Sequence, residues 1–389
     1  MRKSTAARLA LVFALAVPSS TALAPATMAA GAVDPLAIVM ANDAHPRILS
    51  SDRASPQKTA IDSYLSAFDE QREGLTSARG LAESPNSLSQ EGYAHRELFA
   101  KSGLTIIESS TNIESSLSIT HGALSTNVEA TISTQVKSVD SEGQIINSSW
   151  TDLQRFKLVE VDNAFQVASV EIVDPYAVES ADVVDEEIAP TEEDISLLGS
   201  GEELPQISLK SQPAISTSKF YNYATTYTTG RFAAIAQGNP DYSNTGNNCA
   251  NFASQVLRAA GWELKSGVNT HDTNNWHYNL PGPGGATTTW TQARTLYYYA
   301  RTKQGWSTYN YVESARKGDL IFVDWDPNGV PDGSIDHVMV VVGATSSSPA
   351  QPLISQKSPN RSSLPWSMHL KLAKESGKRN QVYYALKHK

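Results

Sequence analysis

Cysteine is almost missing from this chain: a single residue, Cys249, stands among 389. One thiol excludes an internal disulfide framework and a cysteine-built metal site. It leaves a small buried side chain or a thiol kept for chemistry. Long apolar runs are scarce as well, and the one present, "LALVFALAV" at 9–17, is too short to span a bilayer. It follows Arg2, Lys3 and Arg8 and precedes the small residues of "SSTALAPATMAAG", which is the layout of a secretory signal peptide over 1–30. Pro25 disfavours cleavage after Ala24, so the expected site lies between Ala26 and Ala30. The mature chain is expected to be secreted, extracellular or cell-wall associated, with no membrane span. In an oxidising compartment a spare thiol is a liability, which tilts Cys249 toward chemistry.

Positive charge is in short supply in the front half. The whole chain carries −9, yet residues 216–389 hold 17 Lys/Arg against 10 Asp/Glu, a net of +7, so residues 1–215 carry −16. An acidic front and a basic back mark a boundary in composition. The +7 segment would be drawn to an anionic polymer. For an exported protein peptidoglycan or another cell-wall polymer is the expected partner, and no motif favours nucleic acid. Nothing in the chain asks for a cofactor or implies an oligomer; a monomer is expected.

The chain divides accordingly. Residues 31–59 carry no clear pattern and read as an extended leader. From Ala60, the spacing of Ile61, Tyr64, Leu65 and Phe68 gives one helical face, and "GYAHRELFAKSG" (92–103) predicts a second helix stopped by Gly103. The period then changes to two. Strands are predicted over 104–110, 115–121, 127–136, 149–161 and 164–173, separated by turn residues such as "DSEGQ". Residues 60–175 are thus a small α+β domain, two helices followed by an antiparallel meander. Residues 176–215, rich in Asp and Glu and broken by Pro and Gly, bury too little to fold and form an acidic linker that could screen the basic segment.

Six of the seven Trp lie in 216–389. "KFYNYATTYTT" (219–229) suggests a helix, and "CANFASQVLRAAGW" (249–262) repeats Phe252, Val256, Ala259 and Ala260 at helical spacing, with Asn247 or Asn248 as N-cap. Cys249 then sits in the first helical turn, where unpaired N–H groups favour its thiolate. A thiolate nucleophile needs a base nearby in space. The histidines after it are His271, His277, His337, His369 and His388. Of these His337 has the tightest structural address: it opens the apolar strand "HVMVVVGA" (337–344), joined by an acidic loop to the strand "KGDLIFVDW" (317–325). A helix that starts with Cys, packed on an antiparallel sheet that carries His, is the α+β plan of papain-like hydrolases.

The segments "NCANFASQVLRAAGW", "TWTQARTLYYYA", "KGDLIFVDW", "DGSIDHVMVVVG" and "LISQKSPNR" occur in one order over 216–389. Together they resemble a cysteine amidase domain of secreted bacterial proteins, similar to NlpC-type and CHAP cell-wall peptidases. That resemblance implies a papain-like fold, Cys249 as nucleophile and His337 as general base. Two positions depart from it. Asn248-Cys249 stands where the family has Asp-Cys, and Ser355-Gln356-Lys357-Ser358 stands where the family carries a His. Gln356 and Asn360 are the polar candidates left to orient His337, since a neutral amide can serve as third member.

The expected activity is hydrolysis of amide bonds in cell-wall peptidoglycan through a Cys249 acyl-enzyme. Acyl transfer on the same fold, and a non-catalytic wall-binding or adhesion module with a decayed site, are the alternatives. Trp276, Trp290, Trp306, Trp325 and Trp366 are candidates to stack on sugar rings, and His277 to line the cleft. "DWDPNGVPDGSIDH" (324–337) imitates the front half of a calcium loop through Asp324, Asp326, Asn328 and Asp332. Its flanks are strands and its twelfth position is Ile335, so no metal is expected there.

Overall fold

A computed structural model describes residues 47–50, 54–75, 91–115, 117–173, 212–233, 237–243, 248–265, 267, 269–278, 285–325, 332–377 and 381–388. The expected signal peptide and nearly all of the expected acidic linker lie outside these residues, as do Asp326 and Asn328.

Strand β1 (Arg47–Leu49) lies inside the stretch expected to be a leader, and helix α1 (Pro56–Glu73), expected from Ala60, starts four residues earlier, inside that same stretch. The helix has a local cause. Ser55 accepts the Lys58 N–H on its side chain, Pro56 occupies the first turn, and Gly74 closes the far end at φ 75°. Helix α2 (Glu91–Lys101) follows, then strands β2 (Leu104–Ile113), β3 (Leu117–His121), β4 (Thr126–Asp140), β5 (Ile145–Val161) and β6 (Ala164–Val173). Ile61 and Leu65 of α1 bury against Val128, Ala130, Ile132, Phe156 and Leu158, so the predicted apolar faces meet.

The second half contains α3 (Thr217–Thr226), a 3-10 turn at Gly230–Phe232, α4 (Cys249–Ala259), α5 (Thr288–Thr291) and α6 (Ala293–Tyr298). Strands β7 (Ser307–Thr308), β8 (Leu320–Asp324), β9 (His337–Ala344), β10 (Pro352–Gln356) and β11 (Arg361–Pro365) come next. Helix α7 (Trp366–Glu375) and strand β12 (Val382–Lys387) complete it. Strands β8 to β11 are buried along most of their length, which explains their nearly unbroken apolar or small-residue sequences.

The architecture is mixed α/β on one large antiparallel sheet, ordered β1-β3-β4-β5-β11-β10-β9-β8-β12-β7, with β2 also on β4 and β6 also on β5. The junction depends on the length of β5. Its second half pairs with β6 from Leu153 to Val161, while Trp150 and Ser149 pair with Arg361 and Ser362 of β11. A 17-residue strand has room for both partners on one edge. The two halves expected to be separate domains therefore share their hydrogen-bonded sheet. At the end of the stretch expected to be a linker, Gln212 is tied down, donating to the Glu263 carbonyl (2.8 Å) and accepting the Glu263 N–H (2.7 Å).

Candidate active site

Helix α4 starts at Cys249 without the expected side-chain cap, although Asn248 does occupy the N-cap position. Asn248 is held differently. Its N–H donates to Ser358 Oγ (3.0 Å), and its Oδ1 accepts from Asn251 Nδ2 (2.6 Å). Asn251 Oδ1 in turn accepts from Trp290 Nε1 (2.7 Å) and Gln255 Nε2 (3.0 Å), and Gln255 accepts the Tyr223 hydroxyl (2.8 Å). These are buried amides with defined partners, so the start of the helix is fixed from two sides.

Cys249 is 2% exposed. Its Sγ lies 4.0 Å from the Asp336 carbonyl oxygen, and the N–H groups of Val338, Ala250 and Cys249 itself bear on the sulfur. Asp336 and Val338 flank His337, so the thiol is set against the main chain on either side of the predicted base. Burial pushes the thiol up from 9.0 to about 11, more than the three N–H groups pull it down, and the Asp336 carboxylate adds to the rise. The expectation that the helix start alone would favour the thiolate is overturned: desolvation is the larger effect here.

His337 opens β9 opposite Val323 and is buried. Its ring stacks on Trp325, with centroids 4.8 Å apart and planes at 25°. Asp336 holds that partner in place, accepting the Trp325 N–H on Oδ2 (2.6 Å) while donating its own N–H to the Val323 carbonyl (2.9 Å). The other described carboxylates of the acidic loop act in the same way. Asp324 accepts from the Gly333 N–H (2.9 Å) and Asp332 from the Ser334 N–H (2.7 Å), which is turn chemistry.

The two amides proposed to orient His337 differ. The pairing of Ile354 with Val341 puts Gln356 on the strand face shared by Met339 and His337. Gln356 Nε2 donates to the Pro359 carbonyl (3.2 Å), and its buried Oε1 has no hydrogen-bond partner among the described residues. Asn360 is fully buried, and its Nδ2 donates to the Thr228 carbonyl (3.0 Å) at the end of α3. Between them Lys357 is 1% exposed and donates to the Phe232 carbonyl; burial lowers its ammonium from 10.5 to about 7. Ser358, the direct partner of Asn248, escaped the sequence reading because a serine beside a proline carries no signal beyond a turn.

The remaining candidates disperse. His271 is exposed in its own turn, His369 stacks on Trp366, and His388 Nδ1 lies 2.8 Å from Asp319 Oδ1. His277 is 2% exposed, and both its ring nitrogens lack hydrogen-bond partners among the described residues. Trp276, Trp290, Trp306 and Trp366 are core residues, which removes them as sugar platforms; Trp325 is half-buried.

One group of metal-ligating types occurs among the described residues, Glu91, His95 and Glu375, away from the thiol. It already contains its cation: Lys371 Nζ bridges Glu91 (3.1 Å) and Glu375. His95 Nδ1 accepts from Arg72 Nε (3.3 Å), which places the neutral ring's proton on Nε2 and leaves no lone pair there for a metal. The donor set does not fit a metal ion.

Residues 214–383 match the family model described as "Putative amidase domain". They form an amidase-like domain whose matched span contains Cys249, His337 and the 356–361 turn; the strands β1 to β6 lie outside it. A search of curated proteins finds no match. Among solved structures, the intermembrane space region of the chloroplast protein ARC6 is similar at 13% identity, covering 31% of this chain and 97% of that one with a TM-score of 0.22, too remote to carry an argument. No helix among the described residues is long and apolar enough to cross a membrane.

Proposed function

We propose that this protein is a secreted cysteine hydrolase of amide bonds, acting on cell-wall peptidoglycan with Cys249 as nucleophile and His337 as general base. The observation that carries the reading is the seat of Cys249: first residue of a helix, its sulfur against the Asp336 carbonyl and the Val338 N–H on either side of His337. The amidase-like domain supports amide hydrolysis as the reaction class.

The resting thiol is protonated, because burial holds it near 11. General-base catalysis suits that state better than a standing thiolate. His337 takes the thiol proton as sulfur attacks the amide carbonyl, and backbone N–H groups at the start of α4 receive the developing oxyanion. Collapse breaks the C–N bond, His337 returns the proton to the leaving amine, and water then hydrolyses the thioester. Gln356, with an acceptor oxygen to spare on the His337 face, is the better candidate to orient the imidazole. Asn360 also keeps a buried oxygen without a partner among the described residues while its Nδ2 donates to the Thr228 carbonyl, so the strand face that Gln356 shares with His337 is what favours Gln356.

Incubating purified peptidoglycan with the protein and with Cys249→Ser, and identifying new chain ends by mass, tests the reading. New amine and carboxyl ends from the wild type alone are expected. Equal cleavage by Cys249→Ser would remove Cys249 from the mechanism. The near-complete burial of Cys249 favours one second reading, a wall-binding module with a silent site. Binding to peptidoglycan with no new ends from either protein would establish it.

A further inference from the structure

Strand β5 lies outside the amidase-like domain, yet it is bonded directly to the turn beside the nucleophile. Arg361 and Asp152 form an ion pair at 2.6 Å with both side chains 4% exposed. The other guanidinium nitrogen, Nη1, donates to the carbonyls of Thr151 and Asn360 (both 3.0 Å), and the Thr151 N–H donates to the Asn360 carbonyl (3.1 Å). Strand pairing of Arg361 with Trp150 and Ser362 with Ser149 continues the contact. Three residues earlier in the same turn, Ser358 accepts the N–H of Asn248, the residue before Cys249.

A neighbouring set of bonds secures the cover of this turn. Thr151 Oγ1 donates to the Ala233 carbonyl (3.0 Å), Asn360 to Thr228 (3.0 Å) and Lys357 to Phe232. The stretch 228–233 is thereby held on the turn by donors from both halves of the chain. The turn itself has little local regularity: Ser358 sits at φ 58°, a conformation that L residues seldom adopt unless their surroundings impose it. Here the surroundings include β5.

We propose that Asp152 of β5 is a positioning residue for Cys249, acting through Arg361 and the 356–361 turn to Ser358 and the Asn248 N–H. The N-terminal α+β segment is then a working part of the site, since the amidase-like span by itself lacks the carboxylate that orients its Arg361. A guanidinium fork suits this task because its fixed plane binds a carboxylate and two carbonyls at once. The inference rests on Cys249 being the working residue of the proposed reaction, but its test reads the thiol and not the reaction.

The measurement is the rate at which iodoacetamide alkylates Cys249 in the intact folded chain, followed from pH 6.5 to 10. Asp152→Asn breaks the ion pair, while Ser358→Gly removes the last link and tolerates the positive φ. Freeing the helix start lets the buried thiol move toward solvent and an ordinary titration, so each variant should alkylate at least about tenfold faster than wild type at pH 8. Because they act in one chain of contacts, the double variant should be no faster than the faster single one. Arg155→Gln, which breaks exposed pairs further along β5, should match wild type. Each is measured well below its own melting temperature. If Asp152→Asn melts earlier but keeps the wild-type alkylation profile, or if the two effects multiply, the proposal is overturned. Should Asp152→Asn not fold, Asp152→Glu takes its place, expected to fall between wild type and Ser358→Gly; an unchanged profile for both sinks the idea. A failure of peptidoglycan cleavage leaves these outcomes untouched.

Discussion

Cys249 Sγ faces the main-chain oxygen of Asp336 at 4.0 Å, so the thiol and the residue preceding His337 meet across 87 positions of sequence. The contact sets the resting state: a thiol among backbone dipoles, desolvated enough to keep its proton. Reactivity and stability both inherit that state.

Stability should fall at alkaline pH on account of Cys249. In the unfolded chain this thiol titrates near 9, while in the folded protein it holds its proton to about 11. Between those values the folded state binds more protons, so raising the pH favours unfolding. A shift of about two units corresponds to roughly 2 to 3 kcal/mol lost by pH 11. Urea denaturation at pH 8 and 10.5 should show this decline in wild type and a smaller one in Cys249→Ser.

Lys357 should work in the opposite direction. Its folded ammonium titrates near 7 against 10.5 when unfolded, so between these values the unfolded chain binds more protons and stability rises with pH. Comparing wild type with Lys357→Met at pH 6 and 9 isolates the effect. Wild type should gain at least about 1 kcal/mol relative to the variant over that interval. Equal differences at both pH values would mean that Lys357 is charged in the folded state throughout.

Replacing the imidazole and the two amides should separate their roles. His337→Ala should lower amide hydrolysis by about a thousandfold or more, the usual size of losing a general base. Gln356→Ala should cost about tenfold in kcat with KM little changed, an orienting effect. Asn360→Ala, which abandons the Thr228 carbonyl, should lower the melting temperature more than the rate constant. A larger kinetic loss at Asn360 than at Gln356 would reverse the assignment.

Calcium should be without effect. Asp324, Asp332 and Asp336 already accept backbone N–H groups of their own loop, and the twelfth position offers Ile335 where a bidentate carboxylate is needed. Millimolar Ca²⁺ or a chelator should leave the melting temperature within error of the untreated protein. A rise of several degrees with Ca²⁺ would restore the metal reading.

Much of this arrangement was legible in the residues. Alternation marked all five strands from Leu104 to Val173, though β4 and β5 run four or five residues beyond their predicted ends. Those extra residues, "SVD" after Lys137 and "IINS" before Ser149, mix polar and apolar side chains without a clean alternation, and Ile146 is covered by the core that includes the second half of the chain. Helix α7 was missed because "WSMHLKLAKE" is too short and mixed for its period to stand out. The start of α1 did carry a signal, Ser55-Pro56, inside a stretch that looked patternless.

What the sequence determined by itself is local: a helix that begins at Cys249, a strand that begins at His337, and the change of period that separates helices from meander. These follow from side-chain spacing and turn chemistry within a few residues. Tertiary structure alone decided that β5 would lie beside β11, that Ser358 would hold Asn248, and that desolvation would outweigh the helix start at the thiol. Each of those depends on atoms brought together from distant parts of the chain. Charge is governed by everything within a few ångströms, and most of what surrounds Cys249 is far from it in sequence.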